Sequence, residues 1–445
     1  MKRREFVKNA TLASAGFAIL PTGSLFANKV KLGIIGTGLR GQNHLDNALR
    51  RSDVEVVAIC DIDDRMLGMA TDIIKKSGKP MPRIFTGDNY AWKKLLEMKE
   101  IDGVLIVTPW EWHTPMCIGA LEAGKYVGTE VILGITLDDH WNVVRTCERT
   151  NGQLMMLENV CYRRDVMAIL NMVRQNMFGE LIHLQGGYQH DLRGVKFNNG
   201  KVPNNSGVEF GEKAFSEAKW RTNHSVHRNG DLYPTHGVGP VAQFIDINHG
   251  NRFVSLTSYA TKARGLHEYI VQKGGANHPN AKVEFKLGDV VTTMIKTANG
   301  ETILLQHDTN LPRPYSLGFR VQGTKGLWMD LNHSLYIEGV SKNDEWEDAK
   351  TYLDKYDHPL WKRWSKETEG AGHGGMDFFV LHAFIESIKR RTATPMDVYD
   401  AAAWSAITPL SEKSIELGNE TVEFPDFTGG QWMYRKNNFA LTDEF

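Results

Sequence analysis

The stretch Lys31-Leu-Gly-Ile-Ile-Gly36-Thr-Gly38-Leu-Arg-Gly41 decides the fold of this chain. An apolar, β-branched run (Val30, Leu32, Ile34, Ile35) leads into Gly36-x-Gly38-x-x-Gly41, and Gln42 to Arg50 reads as a helix. Strand, glycine turn and helix, in that order, give the motif its meaning as a dinucleotide site. The first glycine permits a tight turn, and the second lets the backbone approach a pyrophosphate. The third lets helix and strand pack closely, with the phosphates at the positive end of the helix. A second strand, Val54–Cys60, runs into Asp61, twenty positions after Gly41. A carboxylate there holds the ribose hydroxyls of NAD. Leu39 and Arg40 offer backbone in the turn, and the Arg40 side chain is expected to face a phosphate.

Outward from this motif, strand and helix patterns alternate. Strands are expected at Val30–Ile35, Val54–Cys60, Gly103–Val107, Tyr126–Thr129 and Gln153–Leu157. Helical spacing marks Asp64–Ser77, Trp92–Met98, Met116–Ala123 and Leu137–Thr150. That alternation predicts an α/β fold, a Rossmann doubly wound parallel sheet. Ligands of such sheets bind beyond the carboxyl ends of the strands. Three strand ends there carry distinctive residues. One is a loop, Thr108-Pro-Trp110-Glu111-Trp112-His113-Thr-Pro115; another is Glu130-Val131; the third is Asn159. All are expected on the cofactor, the last three residues at its nicotinamide side.

Beyond Glu158 the pattern changes. His183–Tyr188, Phe253–Tyr259, Val290–Lys296 and Thr302–His307 resemble strands separated by long polar loops. They predict a C-terminal α+β domain with a large, mostly antiparallel, open-faced sheet. Asp377–Arg390 and Ala401–Gly418 read as helices. Gly339–Lys366 looks like a surface insertion, and the tail from Phe424 like an aromatic wrap. The expected division is residues 1–29 as a signal, 30–157 as the NAD-binding domain and 158–445 as the substrate and catalytic domain.

The start, Lys2-Arg3-Arg4-Glu5-Phe6-Val7-Lys8, precedes an apolar stretch from Ala10 to Leu20. Paired arginines, Phe, Lys and a short apolar region form a twin-arginine export signal, which implies a periplasmic or secreted protein. The apolar run is too short to span a bilayer. With 52 Lys and Arg against 53 Asp and Glu, the net charge is -1, and no basic run or zinc spacing suggests nucleic acid. Four cysteines show no paired spacing. Histidines beside acids or other histidines (His190-Asp191, His224 and His227, His307-Asp308) match no metal motif, and no metal is expected.

The order of these features resembles the Gfo/Idh/MocA oxidoreductase-like family. That family carries Glu-Lys-Pro where this chain has Glu130-Val131-Ile132, so the lysine expected to assist hydride transfer is missing. Longer runs resemble one branch, the NAD-dependent α-N-acetylgalactosaminidases of glycoside hydrolase family 109. They include Trp110-Glu-Trp-His113, Leu157-Glu-Asn-Val-Cys-Tyr-Arg-Arg-Asp165 and Gly186-Gly-Tyr188-Gln-His-Asp191. Lys219-Trp-Arg221-Thr-Asn-His224, Leu232-Tyr-Pro-Thr-His-Gly-Val-Gly239, Arg313-Pro-Tyr315 and Gly370-Ala-Gly-His373-Gly-Gly-Met-Asp377 complete the set. The resemblance covers essentially the whole chain after the signal.

It implies a redox-assisted elimination on a glycan with terminal N-acetylgalactosamine. C3 of the sugar is oxidised, the C2 proton becomes acidic, and the aglycone leaves C1. Water then adds, and C3 is reduced again. A tightly bound NAD, regenerated at each turnover, suits an exported protein. By the same resemblance, Tyr188 and His236 are the catalytic candidates, His236 for the C3 hydroxyl proton and Tyr188 for C2. Tyr188 needs a positive neighbour such as Arg221 to act as a base. Arg221, Tyr233, Pro234, Thr235 and Tyr315 are expected on the substrate together with these two. His373 is left outside the catalytic set, as a glycine-flanked loop cap that reaches toward the site. A homo-oligomer through the open sheet face is expected from the family. The alternative is an ordinary NAD-dependent sugar or polyol dehydrogenase.

Overall fold

The computed structural model describes residues 29–202 and 205–445. The expected export signal therefore lies outside the described residues, apart from Lys29.

The first sheet has six strands: β1 (Val30–Ile35), β2 (Val54–Cys60), β3 (Arg83–Phe85), β4 (Gly103–Ile106), β5 (Tyr126–Thr129) and β6 (Leu154–Met156). Their order is β3-β2-β1-β4-β5-β6, and every pairing is parallel. The strand order reverses between β1 and β4, where a crevice opens at the carboxyl ends. The strands are short and almost wholly apolar because helices cover both faces. Those helices are α1 (Leu39–Arg50), α2 (Asp64–Ser77), α3 (Ala91–Leu96), α4 (Trp110–Glu122) and α5 (Leu137–Thr150). Two helices from the far end of the chain complete the cover. Phe384 and Ile388 of Met376–Arg390 abut Gly103 of β4, and Ser405 of Val398–Glu416 accepts the Leu133 N–H at 2.9 Å.

One expected loop is helical. Pro115 has no N–H to give to a helix, so the sequence delays the helix to Met116. In the structure α4 begins at Trp110 and carries Pro115 inside it. Burial of Trp110, His113 and Met116, each at most 5% exposed, holds the opening turns against the proline. The tryptophans and His113 thus project from a rigid helix end.

The second sheet has nine strands. They are β7 (Leu181–Gln189), β8 (Phe253–Ala260), β9 (Val290–Thr297), β10 (Thr302–Asp308), β11 (Arg320–Gly323), β12 (Gly326–Met329), β13 (Ser334–Ile337), β14 (Glu347–Asp348) and β15 (Val422–Glu423). Their order is β14-β13-β12-β11-β7-β10-β9-β8-β15. Only the central β7–β10 pair is parallel; every other pairing is antiparallel. One face is packed, with Leu184, Tyr188, Ile303, Leu305 and Ile295 turned inward. The other carries Tyr259 and Met294 into solvent.

Gly339–Lys366 is more than a surface insertion. Ala349, Leu360 and Trp361 join the core, and the Trp361 indole N–H donates to the Tyr162 carbonyl at 2.9 Å. Trp346 alone among its tryptophans is largely exposed. The tail also packs inward: Phe424, Phe427 and Phe439 are buried, and Arg174 grips the carbonyls of Phe439 and Ala440 at 2.7 and 2.6 Å. The four cysteines are buried and free. Among the described residues no helix is long and apolar enough to cross a membrane.

Candidate active site

Both sheets contribute to one cavity of about 710 Å³. Its first half is made of backbone. At Gly36, with φ +94°, a Cβ would lie 2.3 Å from the Val107 carbonyl oxygen, and at Gly41 it would lie 2.0 Å from that of Gly36. Only glycine allows that turn. Gly38 is glycine for a different reason: it lines the cavity, and a Cβ there would meet no protein atom within 4 Å. The space is left for a ligand. Gly38 caps α1 without a side-chain hydrogen bond, so the first-turn N–H groups remain open to an anion. Asp61 lines the same cavity. One carboxylate oxygen accepts the Thr37 N–H at 2.6 Å, and the other accepts the Asp63 N–H at 2.9 Å. This turn, helix end and fixed carboxylate fit a dinucleotide. The second domain reaches over this half. Lys219 forms an ion pair with Asp63, Arg65 Nη2 donates to the Gly200 carbonyl at 2.9 Å, and its guanidinium lies 4.2 Å from the Phe215 ring centre.

The Arg40 side chain lines the cavity as expected, but it is already engaged by protein groups. Its guanidinium is clamped between two carboxylates, Nε to Glu130 at 2.6 Å and Nη1 to Asp377 at 2.8 Å. His44 Nε2 lies 2.7 Å from the same Glu130 oxygen, and Asn159 donates to Asp377 at 2.8 Å. His373 Nδ1 lies 2.7 Å from Asp377. Burial works against both charges, but Arg40 and His44 hold the Glu130 carboxyl well below the usual range. Arg40 and His373 do the same for Asp377. Opposite charge on a short hydrogen bond therefore outweighs desolvation here. Glu130 and Asn159 line the cavity as parts of this strut. Val131 lines it where the lysine would stand. His113 lies on the wall with both ring nitrogens facing backbone carbonyls, Ile132 at 2.5 Å and Thr108 at 2.8 Å. It fastens α4 to the ends of β4 and β5. Trp110 and Trp112 also line the cavity, but Glu111 does not; its carboxylate faces His224 at 3.6 Å.

The second half is made of side chains. Tyr188 ends the inward row of β7, and His236 sits in the first turn of the helix Thr235–Phe244. Glycines bring the two elements together. A Cβ on Gly186 would lie 2.3 Å from the Gly237 carbonyl oxygen, and one on Gly237 would lie 2.4 Å from the Gly187 nitrogen. The helix therefore rests on the strand backbone, and the Tyr188 and His236 ring centres stand 5.2 Å apart. Tyr233 fills the angle between them, 4.5 Å from Tyr188 and 4.9 Å from His236. Arg221 lies over Tyr233 at 4.8 Å and over Trp110 at 5.2 Å, and forms an ion pair with Glu217. Four of the seven expected substrate residues, Tyr188, Arg221, Tyr233 and His236, line the cavity. Pro234 and Thr235 are buried behind the wall. Tyr315 stands outside it, 49% exposed, 4.9 Å from His190 and 6.5 Å from Tyr188.

Burial pushes the Tyr188 phenol up to about 12; Arg221 pulls the other way, as expected, but does not prevail. His236 Nδ1 lies 2.8 Å from one oxygen of Glu158 and 2.9 Å from the other. Glu158 is wholly buried. Nothing in the sequence around Glu158, in the run Leu157-Glu-Asn159, points to this role. Asp377 and His44 are equally silent in the sequence, because their function appears only once α1, β5 and the helix Met376–Arg390 converge. His373 does reach the cavity, 51% exposed at its side chain, on a loop whose Gly372, Gly374 and Gly375 have positive φ. Among the described residues no three His, Cys, Asp or Glu side chains gather as for a metal ion.

Comparison with known proteins agrees with both halves. Residues 30–158 match the model of an oxidoreductase family with an NAD-binding Rossmann fold. Residues 162–434 match the model of the glycosyl hydrolase 109 C-terminal domain. A glycosyl hydrolase family 109 protein of Stenotrophomonas maltophilia (strain K279a) is 60% identical, over 100% of this chain and 99% of its own. An alpha-N-acetylgalactosaminidase of Tannerella forsythia is 50% identical, over 99% of each. Among solved structures, an NAD binding oxidoreductase from Klebsiella pneumoniae superposes with a TM-score of 0.66 at 16% identity, covering 90% of this chain and 100% of its own. A levoglucosan dehydrogenase in complex with NADH gives 0.62 at 19% identity, covering 89% and 100%. At such identities these two speak for the fold alone.

Proposed function

The chain belongs to glycosyl hydrolase family 109, and from that premise we propose that it removes terminal α-linked N-acetylgalactosamine from glycans. It is an NAD-dependent glycosidase. One observation carries the proposed chemistry: Tyr188 and His236, two proton-handling groups, stand side by side in the cavity of the glycine turn. Oxidation of one carbinol needs a proton acceptor at one carbon. Elimination across C1 and C2 needs a second acceptor at the neighbouring carbon.

NAD, held by the Gly36–Gly41 turn, the open end of α1 and Asp61, would supply a reversible hydride acceptor for C3. The protein does the rest. With Nδ1–H donating to the buried Glu158 carboxylate, His236 presents Nε2 as the acceptor for the C3 hydroxyl proton. Once C3 is a ketone, Tyr188 Oη takes the C2 proton and the C1–O bond breaks. His373 lines the cavity and holds Asp377 through Nδ1, which leaves Nε2 to protonate the aglycone oxygen and later to deprotonate water. Arg221 and Tyr233 hold the sugar's acetamido and hydroxyl groups. Tyr315 adds an apolar ring and a hydroxyl at the rim.

The test uses purified protein with no added nucleotide and an aryl α-N-acetylgalactosaminide. Aryl alcohol release without accumulating reduced nicotinamide is expected. No release, but nicotinamide reduction by a free sugar when NAD is added, would make the protein a dehydrogenase. Two further proposals complete the function. The twin arginines Arg3-Arg4 export the folded, NAD-loaded protein to the periplasm or beyond, which fractionation of cells carrying Arg3→Lys and Arg4→Lys checks. Exposed Tyr259 and Met294 on the open face of the second sheet support a homo-oligomer contact there, which sedimentation checks.

A further inference from the structure

His190 takes no part in the chemistry above, yet it touches the residue with the hardest task. Tyr188 Oη and His190 Nδ1 are 3.2 Å apart, with the two rings edge to face at 5.7 Å. Tyr188 is 8% exposed, whereas His190 is only partly buried. The backbone N–H of His190 donates to the Asp308 carbonyl at 2.9 Å, and its ring packs on Tyr315 at 4.9 Å. Its Nε2 has no protein partner among the described residues. The imidazole thus stands between a buried phenol and the exposed Tyr315 ring, and is itself only partly buried.

The phenol needs such a link. Burial pushes it up to about 12, so it stays protonated near neutral pH. Its task at C2 is therefore helped by a neighbour that takes the phenol proton. A phenol that passes its own proton on while accepting another never has to carry the full charge.

We propose that His190 is a positioning residue that carries the Tyr188 hydroxyl proton to and from solvent while Tyr188 exchanges the proton at C2. It rests on the assignment of Tyr188 as the C2 base. As the C2–H bond breaks, its electron pair becomes the C1–C2 double bond, and the C1–O pair leaves with the aglycone oxygen, which takes a proton from His373. Oη gains the C2 proton and gives its own to Nδ1, and the imidazolium releases a proton from Nε2 to water. Water addition runs the same relay backwards. The charged and titratable groups facing His190 are Arg221, Asp191, His236, Glu217, Tyr188 and Tyr315. Burial, then the Arg221 charge, holds the imidazole below its ordinary value, so it is neutral and ready to accept at neutral pH.

The experiment uses the NAD-loaded holoenzyme, an aryl α-N-acetylgalactosaminide and its C2-deuterated form. His190→Asn keeps a hydrogen-bonding group beside Tyr188 but cannot carry a proton across its ring. It is expected to lower turnover about 10²-fold with KM and bound NAD unchanged. The C2-deuterium isotope effect should rise, while the rate of the first nicotinamide absorbance change stays within about 3-fold of wild type. Added imidazole should restore part of the turnover of His190→Ala. Turnover of His190→Asn within about 3-fold of wild type would overturn the relay. So would an equal loss in the hydride step with no rise in isotope effect, or a failure of imidazole to rescue. Tyr188→Phe separates this from the premise. If that variant still exchanges C2 with solvent, the assignment of Tyr188 falls; if it does not, while His190→Asn behaves as wild type, only the relay falls.

Discussion

The two halves of the cavity are built in different ways. The nucleotide half is a backbone surface: a turn that only glycine can make, an uncapped helix end, and one carboxylate fixed by two N–H groups. The substrate half is a side-chain surface. Glu158, Tyr188, Arg221, Tyr233 and His236 come from four separate stretches of chain. They are held by ring contacts and by one buried carboxylate–imidazole pair. Backbone complementarity serves a ligand that stays; side chains serve one that must be bound, changed and released.

That contrast breaks at different points under substitution. Gly38→Ala should have the largest effect. Its Cβ meets no protein atom, so the fold should keep its melting temperature, but the methyl takes pyrophosphate space. Loss of bound NAD, measured on the purified protein, and a turnover loss of about 10³-fold or more are expected. His236→Ala should cost about 10³-fold in turnover and leave NAD bound; if it sheds NAD, the halves are not separate. Glu158→Gln should cost about 10²-fold, because the amide still holds the ring but no longer balances its charge. Gly237→Ala tests the strand–helix contact. Its Cβ would press on the Gly187 nitrogen, so a loss of roughly 1–3 kcal/mol in stability and a smaller drop in turnover are expected.

The smallest effect concerns a charge beneath the substrate half. Burial pushes the Asp231 carboxyl up to about 7, with the Tyr233 N–H at 3.1 Å opposing. The folded state thus binds a proton that the unfolded state has already lost between about pH 4 and pH 7. Stability falls as pH rises through that window, and the cost is fully present above it. Asp231→Asn keeps the acceptor for Tyr233 and removes the charge. Its melting temperature should exceed wild type at about pH 8 and match it at about pH 4.

What the sequence discloses follows the same division. The glycine turn, β1, β2 and Asp61 are local features a few residues apart, so pattern and spacing are enough to find them. Arg40 shows the limit: its position is local, but its partners Glu130 and Asp377 are 90 and 337 residues away. Fold, and not spacing, brings its guanidinium to those carboxylates. The helix Thr235–Phe244 is hidden by the glycines that let it rest on β7, and by Pro240. It is buried nearly all round, so it has no amphipathic stripe to betray it. Glu158 carries no local signal either, since a buried glutamate at a strand end becomes meaningful only beside His236. The core role of Leu360 and Trp361 was masked by the charges around them. Family resemblance supplied Tyr188, Arg221, Tyr233 and His236, and the structure gathers these four around one cavity.

The central claim is that this protein cuts a glycosidic bond by passing through a C3 ketone on a cofactor it never releases. The most direct measurement is turnover of an aryl α-N-acetylgalactosaminide in deuterated water without added NAD, with mass and NMR analysis of the sugar. Deuterium at C2 of every released sugar, with no net reduction of nicotinamide, is the predicted result. Sugar released with its original C2 hydrogen would contradict it.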